Sequence, residues 1–498
     1  MSCRFKQFLI TVAIGVVVYG TPTASRADEP GAPKSIEGSG QPPKLDAPTV
    51  VKLALHPARP PAAALEYPLL PRFVDQYPGN AATLYIKVTT LMADRKEPQD
   101  DWDKIDRWCE MPLAELPRGQ IHDRLAGYAT IFDMVKMASR REQCDWGPPV
   151  HETTDVFGIL IPEIQHLRKM GHLLALKARL EIAEGHPAEA LETLQTGYAL
   201  ARQTADCPFL VCSLVGIAIA NLMDQQMETL IQSAKCPNLY WSLTALPNPP
   251  VELRPALALE ADSLFLAFPE LRGIEQAQHS PEEWDAMLVE FARRYIRYAD
   301  WIDKKWSGVG AAAFMTGRAT LLLPRAKDDL VAVGRARSDV DAMPVAQVIL
   351  LDSVMIYKRT RDDLFKWFNV PYLQGREGFA AVDNQLKNEI RNREIIPIAS
   401  VLLPALSKVR TASVRSERRI DLLRLIEALR LYAAEHDGKL PAALDDVKEV
   451  PIPLDPVSGQ PFGYKLSGAT ATLDAPPPTG ERWDTLGARY EITIAERK

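Results

Sequence analysis

From Pro78 to about Glu435 apolar residues recur at helical spacing with few breaks, and strand-like alternation appears only past residue 455. So long a helix-period pattern predicts a mainly α architecture, because the same stripe laid along a strand would face both ways. Ser280-Pro281-Glu282-Glu283 marks one helix start, with Ser280 as N-cap, Pro281 at the first helical position and Glu283 reaching back to the cap. Trp284, Met287, Leu288, Phe291, Tyr295 and Ile302 then follow at helical spacing and predict one buried face. Val345 to Phe368 and Ser407 to Glu435 read the same way. Aromatic stripes of this kind are read as core, not as a cofactor surface.

Within this region Leu173 to Arg202 forms two amphipathic segments around Gly185-His186-Pro187, where Gly185 can end one helix and Pro187 begin the next. With Ala178, Gly185, Ala190, Leu194 and Gly197 at its small and apolar positions, the segment resembles one tetratricopeptide unit. Glu181 stands where that family usually has an aromatic residue. A solenoid needs about three repeats to bury its own core, and no second copy follows. The expectation is a single αα-hairpin inside an irregular multi-helix domain.

The tail changes character. Phe462 to Leu466 and Ala469 to Leu473, joined by Ser467-Gly468, predict a hairpin, and Tyr490 to Ile494 predicts a further strand. On the helix before them, Ile420, Leu423, Ile426 and Leu429 form one apolar side, widened by Leu422 and Leu425, while Arg418, Arg424 and Arg430 are expected to fall toward the other. Residues 425–464 carry Ala428-Leu429, Tyr432, Gly438, Pro441, Leu444, Pro453, Asp455-Pro456, Gly459, Pro461 and Tyr464. On those residues the segment resembles the helix-to-head module of type II secretion major pseudopilins. The resemblance implies a long helix giving way to a small α+β head. Pseudopilins carry this module directly after an N-terminal assembly helix, whereas here it lies at the far end of the chain. No residues match the family's calcium loop, so no metal ligands follow from it.

The N-terminus reads as a secretory signal peptide. Arg4 and Lys6 precede an apolar run from Phe8 to Tyr19, and Ser25-Arg26-Ala27 supplies small residues for cleavage after Ala27. Residues 28–64, with Gln41-Pro42-Pro43 and Arg59-Pro60-Pro61, are expected to be a disordered Pro-rich tether. Residues 65–403 would then be the helical domain, and 404–498 a long helix plus a small β-hairpin module. Cleavage would remove three positive charges and no acid, taking the formal charge from −6 to −9. That balance argues against nucleic-acid or anionic-lipid partners. Past the leader no uninterrupted apolar run reaches roughly 18 residues, and the best candidate, Ile395 to Leu406, is broken by Pro397 and Pro404. No integral membrane segment is therefore expected after cleavage.

Cleavage would leave Cys109, Cys144, Cys207, Cys212 and Cys236, an odd number for an oxidising compartment. Cys207 and Cys236 flank a helical run from Phe209 to Gln232 that would hold them more than 30 Å apart at about 1.5 Å per residue, so they should not pair. The remaining pairings stay open.

The motifs of catalysis are weak. His151-Glu152-Thr153-Thr154-Asp155 falls one residue short of a zinc H-E-x-x-H and follows Gly147-Pro148-Pro149, so it reads as a polar loop. Glu163 to His166 is a single E-x-x-H where a di-iron bundle needs two. His166 and His172 point to different helix faces. Gly308-Val309-Gly310 lacks the strand that a dinucleotide site requires. Asp145-Trp146-Gly147 beside Cys144 reads as a core plug. No catalytic, cofactor-binding or metal residue is assigned, and no cofactor is expected. The expectation is an exported protein, periplasmic or extracellular, acting without catalysis through protein partners at the envelope. An exported hydrolase with a site assembled only in space is the alternative. A secretion-system component, resting on the tail, is the third.

Overall fold

The computed structural model describes residues 48–153, 156, 159, 163–302 and 309–495, and the protein is mainly α with a small C-terminal sheet. The leader, residues 28–47 of the expected tether, Thr154, Asp155 and Gly308 lie outside the described residues.

Helices α1 (Ala81–Asp94), α2 (Gln99–Glu110), α3 (Arg118–Ala126) and α4 (Ala129–Ser139) surround an αα-hairpin of α5 (Glu163–Glu184) and α6 (Pro187–Ala205). Gly185 takes a positive φ of 80° and Pro187 opens α6, as the sequence predicts. Helix α7 (Leu210–Leu230) packs against both arms of the hairpin. It is the one helix among the described residues long and apolar enough to cross a membrane, and 72% of its apolar window is buried inside the fold. The sequence reading had favoured Ile395 to Leu406 as the most membrane-like segment. In the structure those residues hold a short helix, Ile398–Leu402, and the first two residues of a long helix that begins at Ala405.

After α8 (Tyr240–Thr244) the chain builds a second group of helices: α9 (Arg254–Ala267), α10 (Pro281–Ile302), α11 (Val309–Ala332), α12 (Arg337–Ala342), α13 (Val345–Phe365), α14 (Tyr372–Gln385) and α15 (Ile398–Leu402). The capping box of α10 forms as its sequence dictates. The Ser280 amide donates to Glu283 at 2.7 Å and the Glu283 amide donates to the Ser280 hydroxyl at 3.3 Å. Trp284, Phe291 and Tyr295 are buried.

These helices have their own apolar core, so residues 65–403 hold two cores where one helical domain was expected. Two long helices belong to both. On α7, Leu210, Leu214 and Ile217 face the second core while Cys212, Val215 and Ile219 face the first. The 31-residue α16 (Ala405–Glu435) places Leu406, Val409 and Ala412 in the second core and Ile420, Leu423, Ile426 and Leu429 in the first.

Helix α16 ends before Gly438, whose positive φ of 78° lets its amide turn back to the Ala433 carbonyl at 2.8 Å. A hairpin of β4 (Gly463–Ser467) and β5 (Thr470–Ala475) follows, then β6 (Ala488–Ile494), close to the expected strands. The edge of this sheet corrects the sequence reading of the tether. Residues 50–55 of the segment taken as disordered form β1 (Val50–Leu55), paired in parallel with β6 from Val50 opposite Arg489 to Leu55 opposite Ile494. The sheet order is β1-β6-β5-β4, so one edge comes from the other end of the chain. A second small sheet pairs β2 (Tyr77–Asn80) with β3 (Arg141–Gln143).

A second correction concerns α16, of which Arg418 and Arg430 were expected on an outward side. Both are buried, because the helix runs through the middle of the molecule and has no fully solvated face along that stretch. Arg430 pairs with Glu427 at 2.7 Å and also donates to the carbonyls of His56 and Cys236. The chain just after β1 is thereby strapped to α16: the Ala58 amide donates to the Arg430 carbonyl, and Arg59 pairs with Glu435.

Candidate functional site

A buried constellation of polar groups lies where α6, α7, α16 and β6 meet. Helical spacing puts Asp224 and Glu228 four residues apart on one side of α7. Tyr198 of α6 donates to Asp224 at 2.7 Å, and Tyr490 of β6 donates to Glu228 at 2.7 Å. Arg419 of α16 pairs with Glu228 at 2.9 Å. Burial pushes the Asp224 carboxyl up to about 7 against the pull of Arg419 and the Tyr198 hydrogen bond. Burial also raises both tyrosine hydroxyls well above their usual range. Burial opposes the Arg419 charge, but Glu228 and its neighbours outweigh it and raise its pKa. Within a turn of these groups along their helices, Asn221 Oδ1, Asp224 Oδ2, Ser416 Oγ and Arg419 Nε lack hydrogen-bond partners. The arrangement can hold a proton at Asp224 near neutral pH. It joins the hairpin, the shared helices and the last strand.

The histidines singled out from sequence are not brought together into one centre. His151, Glu152 and Thr153 line a surface depression of about 230 Å³ with Leu266, Pro269 and Arg272. His166 lies half-buried on α5, its pKa lowered by burial and by Lys169, and its Nδ1 has no partner. His172 Nδ1 lies 2.7 Å from Asp106 Oδ1 on α2, without the alignment of a good hydrogen bond. A larger depression of about 430 Å³ is lined by Leu444, Asp445 and the stretch from Val447 to Ile452. Among the described residues no three His, Cys, Asp or Glu side chains are grouped to hold a metal ion.

Trp146, expected to plug a core, is partly buried and packs against the first one. Its ring stacks on Tyr85 at 6.0 Å and its Nε1 donates to the Gln203 carbonyl at 2.8 Å. Each of the five described cysteines is a free thiol.

Sequence reasoning missed a surface feature. Phe73 and Val74 form a single 3-10 turn and are 82% and 83% exposed, with Leu65 and Tyr77 more than half exposed nearby. The turn is anchored: the Tyr77 amide donates to the Arg140 carbonyl at 2.8 Å, and Arg72 donates to the Leu65 carbonyl at 2.5 Å. The run Leu69-Leu70-Pro71-Arg72-Phe73-Val74 has no helical or strand period, so nothing in it marks which apolar residues stay outside. No known protein family, characterised protein or solved structure matches this chain.

Proposed function

We propose that the chain is exported and works without catalysis, through protein contacts at the cell envelope. The observation that carries this reading is the anchored turn at Phe73-Val74. Two adjacent large apolar side chains above 80% exposure on a backbone held by hydrogen bonds lose the benefit of burial while the chain is alone. A protein surface covering them would recover it. Arg72 and Asp75 flank the pair, giving the mixed apolar and polar character of an interface. The leader-like residues 1–27 support placing that contact outside the cytoplasm.

A photoreactive residue at position 73 or 74 should yield a discrete protein adduct in intact cells, and the same label at exposed Glu282 should not. The double change Phe73→Ser with Val74→Ser should leave melting unchanged and abolish binding of the partner so identified. Equal labelling at all three positions would overturn the reading. The hydrolase alternative rests on the approach of His172 to Asp106. Turnover of a simple ester, amide or phosphate ester that His172→Ala abolishes would establish it instead. The secretion-system reading rests on the pseudopilin-like tail, and filaments formed by residues 404–498 would favour it.

A further inference from the structure

One face of α5 carries cations that the fold leaves unpaired. At about 100° per residue, Gln165, Arg168, Lys169 and His172 fall within about 100° of one another around the helix. That side meets α2: Lys169 Nζ lies 4.6 Å from the centroid of the Trp102 ring, and one turn further along both helices His172 approaches Asp106. Arg168 and Lys169 make no side-chain hydrogen bond and no ion pair among the described residues. The acids that act on them are engaged elsewhere. Glu97 pairs with Arg95 and Arg124 and accepts from Tyr128, while Asp106 faces His172. Burial lowers the pKa of both cations, against the pull of Asp106 on Arg168 and of Glu97 on Lys169. Other arginines in this part of the fold have partners: Arg179 donates to the Met111 carbonyl and to Gln226, and Arg430 pairs with Glu427. Beside the two cations the Trp102 side chain, 7% exposed, has an Nε1 without a partner, and the buried Gln165 Nε2 has none either. All these nitrogens are donors, and a buried donor left unpaired is costly.

We propose that the seam between α2 and α5 at Trp102, Gln165, Arg168 and Lys169 binds an oxyanion, the phosphate or carboxylate group of a small molecule. Arg168 and Lys169 supply the charge, and the planar guanidinium offers two parallel N–H groups to a pair of oxygens. Trp102 and Gln165 supply neutral donors that solvent at the rim does not reach. To meet the indole N–H the anion draws the Lys169 ammonium off the Trp102 ring, which its flexible four-carbon stem allows. The chain as a whole is negative, so the anion is held by local pairing and not by the field of the molecule. The site adds a small-molecule contact to the protein contact proposed above and does not depend on export.

The test titrates the full chain in low-salt buffer with inorganic phosphate and, separately, with succinate. The expected result is saturable binding at one site per chain, with a shift of the Trp102 indole N–H resonance, assigned by its loss in Trp102→Phe. The double change Arg168→Gln with Lys169→Gln should weaken binding by about tenfold or more, the scale of lost charge-assisted hydrogen bonds. Lys87→Gln with Arg118→Gln removes the same charge from exposed positions and should change binding by less than about twofold. If the first double variant does not fold, Trp102→Phe carries the test: it keeps the ring, loses only the N–H, and should weaken binding by about three- to tenfold. Saturation by phosphate, by succinate or by both supports the site and tells which group it takes. No saturable binding of either, an unmoved Trp102 resonance at saturation, or equal losses in the two double variants overturns it.

Discussion

The Arg418 guanidinium donates to the Asp455 carboxylate at 2.7 Å with both side chains buried, and that contact ties the middle of α16 to the turn feeding the sheet. Asp455 also accepts from the Val457 amide at 3.0 Å and the Ser458 hydroxyl at 2.9 Å, so one carboxylate shapes the turn and neutralises the helix. The terminal nitrogens of Arg418 also donate to the carbonyls of Pro476 and Leu486, while its Nε has no partner. Asp455→Asn keeps the turn's acceptor but leaves a buried guanidinium without a counter-charge. The expected loss is about 3–5 kcal/mol in urea unfolding, the usual result of breaking a buried pair from one side. A loss below about 1 kcal/mol would mean that the two carbonyls alone hold the charge.

Asp224 predicts the pH profile. Its folded pKa is raised to about 7 by burial, against an unfolded value of about 3.9. Between those values the folded state binds a proton that the unfolded state has lost, so stability is full below pH about 4 and falls as pH rises through about 7. Glu260, Asp352, Glu394 and Glu417, each raised to about 7 by burial, act in the same direction. Asp224→Asn keeps an acceptor for Tyr198 and removes one ionisation. It should gain on the parent as pH rises from 5 to 8, by up to roughly 2–3 kcal/mol for a shift of this size. A difference between the two proteins that stays constant across that range would place the Asp224 proton elsewhere.

Two glycines on the α6–α7 crossing give a ranked prediction. A Cβ on Gly197 would lie 2.0 Å from Met223 Sδ, part of a flexible side chain that can turn away. A Cβ on Gly216 would lie 2.5 Å from the Ala201 carbonyl, which moves only if the helix moves. Gly216→Ala should therefore cost more than Gly197→Ala, about 1–3 kcal/mol by thermal melting, as overpacking does in tight cores. The reverse order would show that the helices part more easily than the methionine turns.

What could be read from sequence and what could not follows from the range of each signal. Ser280, Pro281 and Glu283 lie within one turn of the helix they start, and that box formed as written. Gly185 and Gly438 mark chain reversals that need a positive φ, and both take it. Strand β1 stayed hidden because Val50 to Leu55 has little alternation of its own and is ordered by β6, more than 400 residues later. Arg418 and Arg430 were placed outward because helical phase assigns a side without saying what covers it. Asp455, Glu427 and the carbonyl of His56 supply the compensation, and none is visible from the helix pattern alone. The division into two cores was hidden likewise, since α7 and α16 are apolar on sides that face different lobes. At the buried cluster, Asp224 and Glu228 look like ordinary helix acids until Tyr198, Arg419 and Tyr490 converge on them.

The tail is therefore expected to depend on the rest of the chain. Leu423 of α16 is buried in the first core together with Ile420, Ile426, Leu429, Leu473 and Ile492. Leu423→Ala should cost about 2–5 kcal/mol, the range for large-to-small changes at such sites. The loss should appear in the melting of the whole protein, because α16 also carries the contacts to α7 and α8. A chain ending at Ala412 would lose that buried face, the Arg419–Glu228 pair and the strand on which β1 lies. Its first core would then be open along one side, and β1 would have no partner. Such a protein should melt at lower temperature and with a broader transition than the parent, and protease should cut it readily near residues 50–59. If it instead melts like the parent, and residues 413–498 fold alone, α16 is a tether and not the shared spine of both cores.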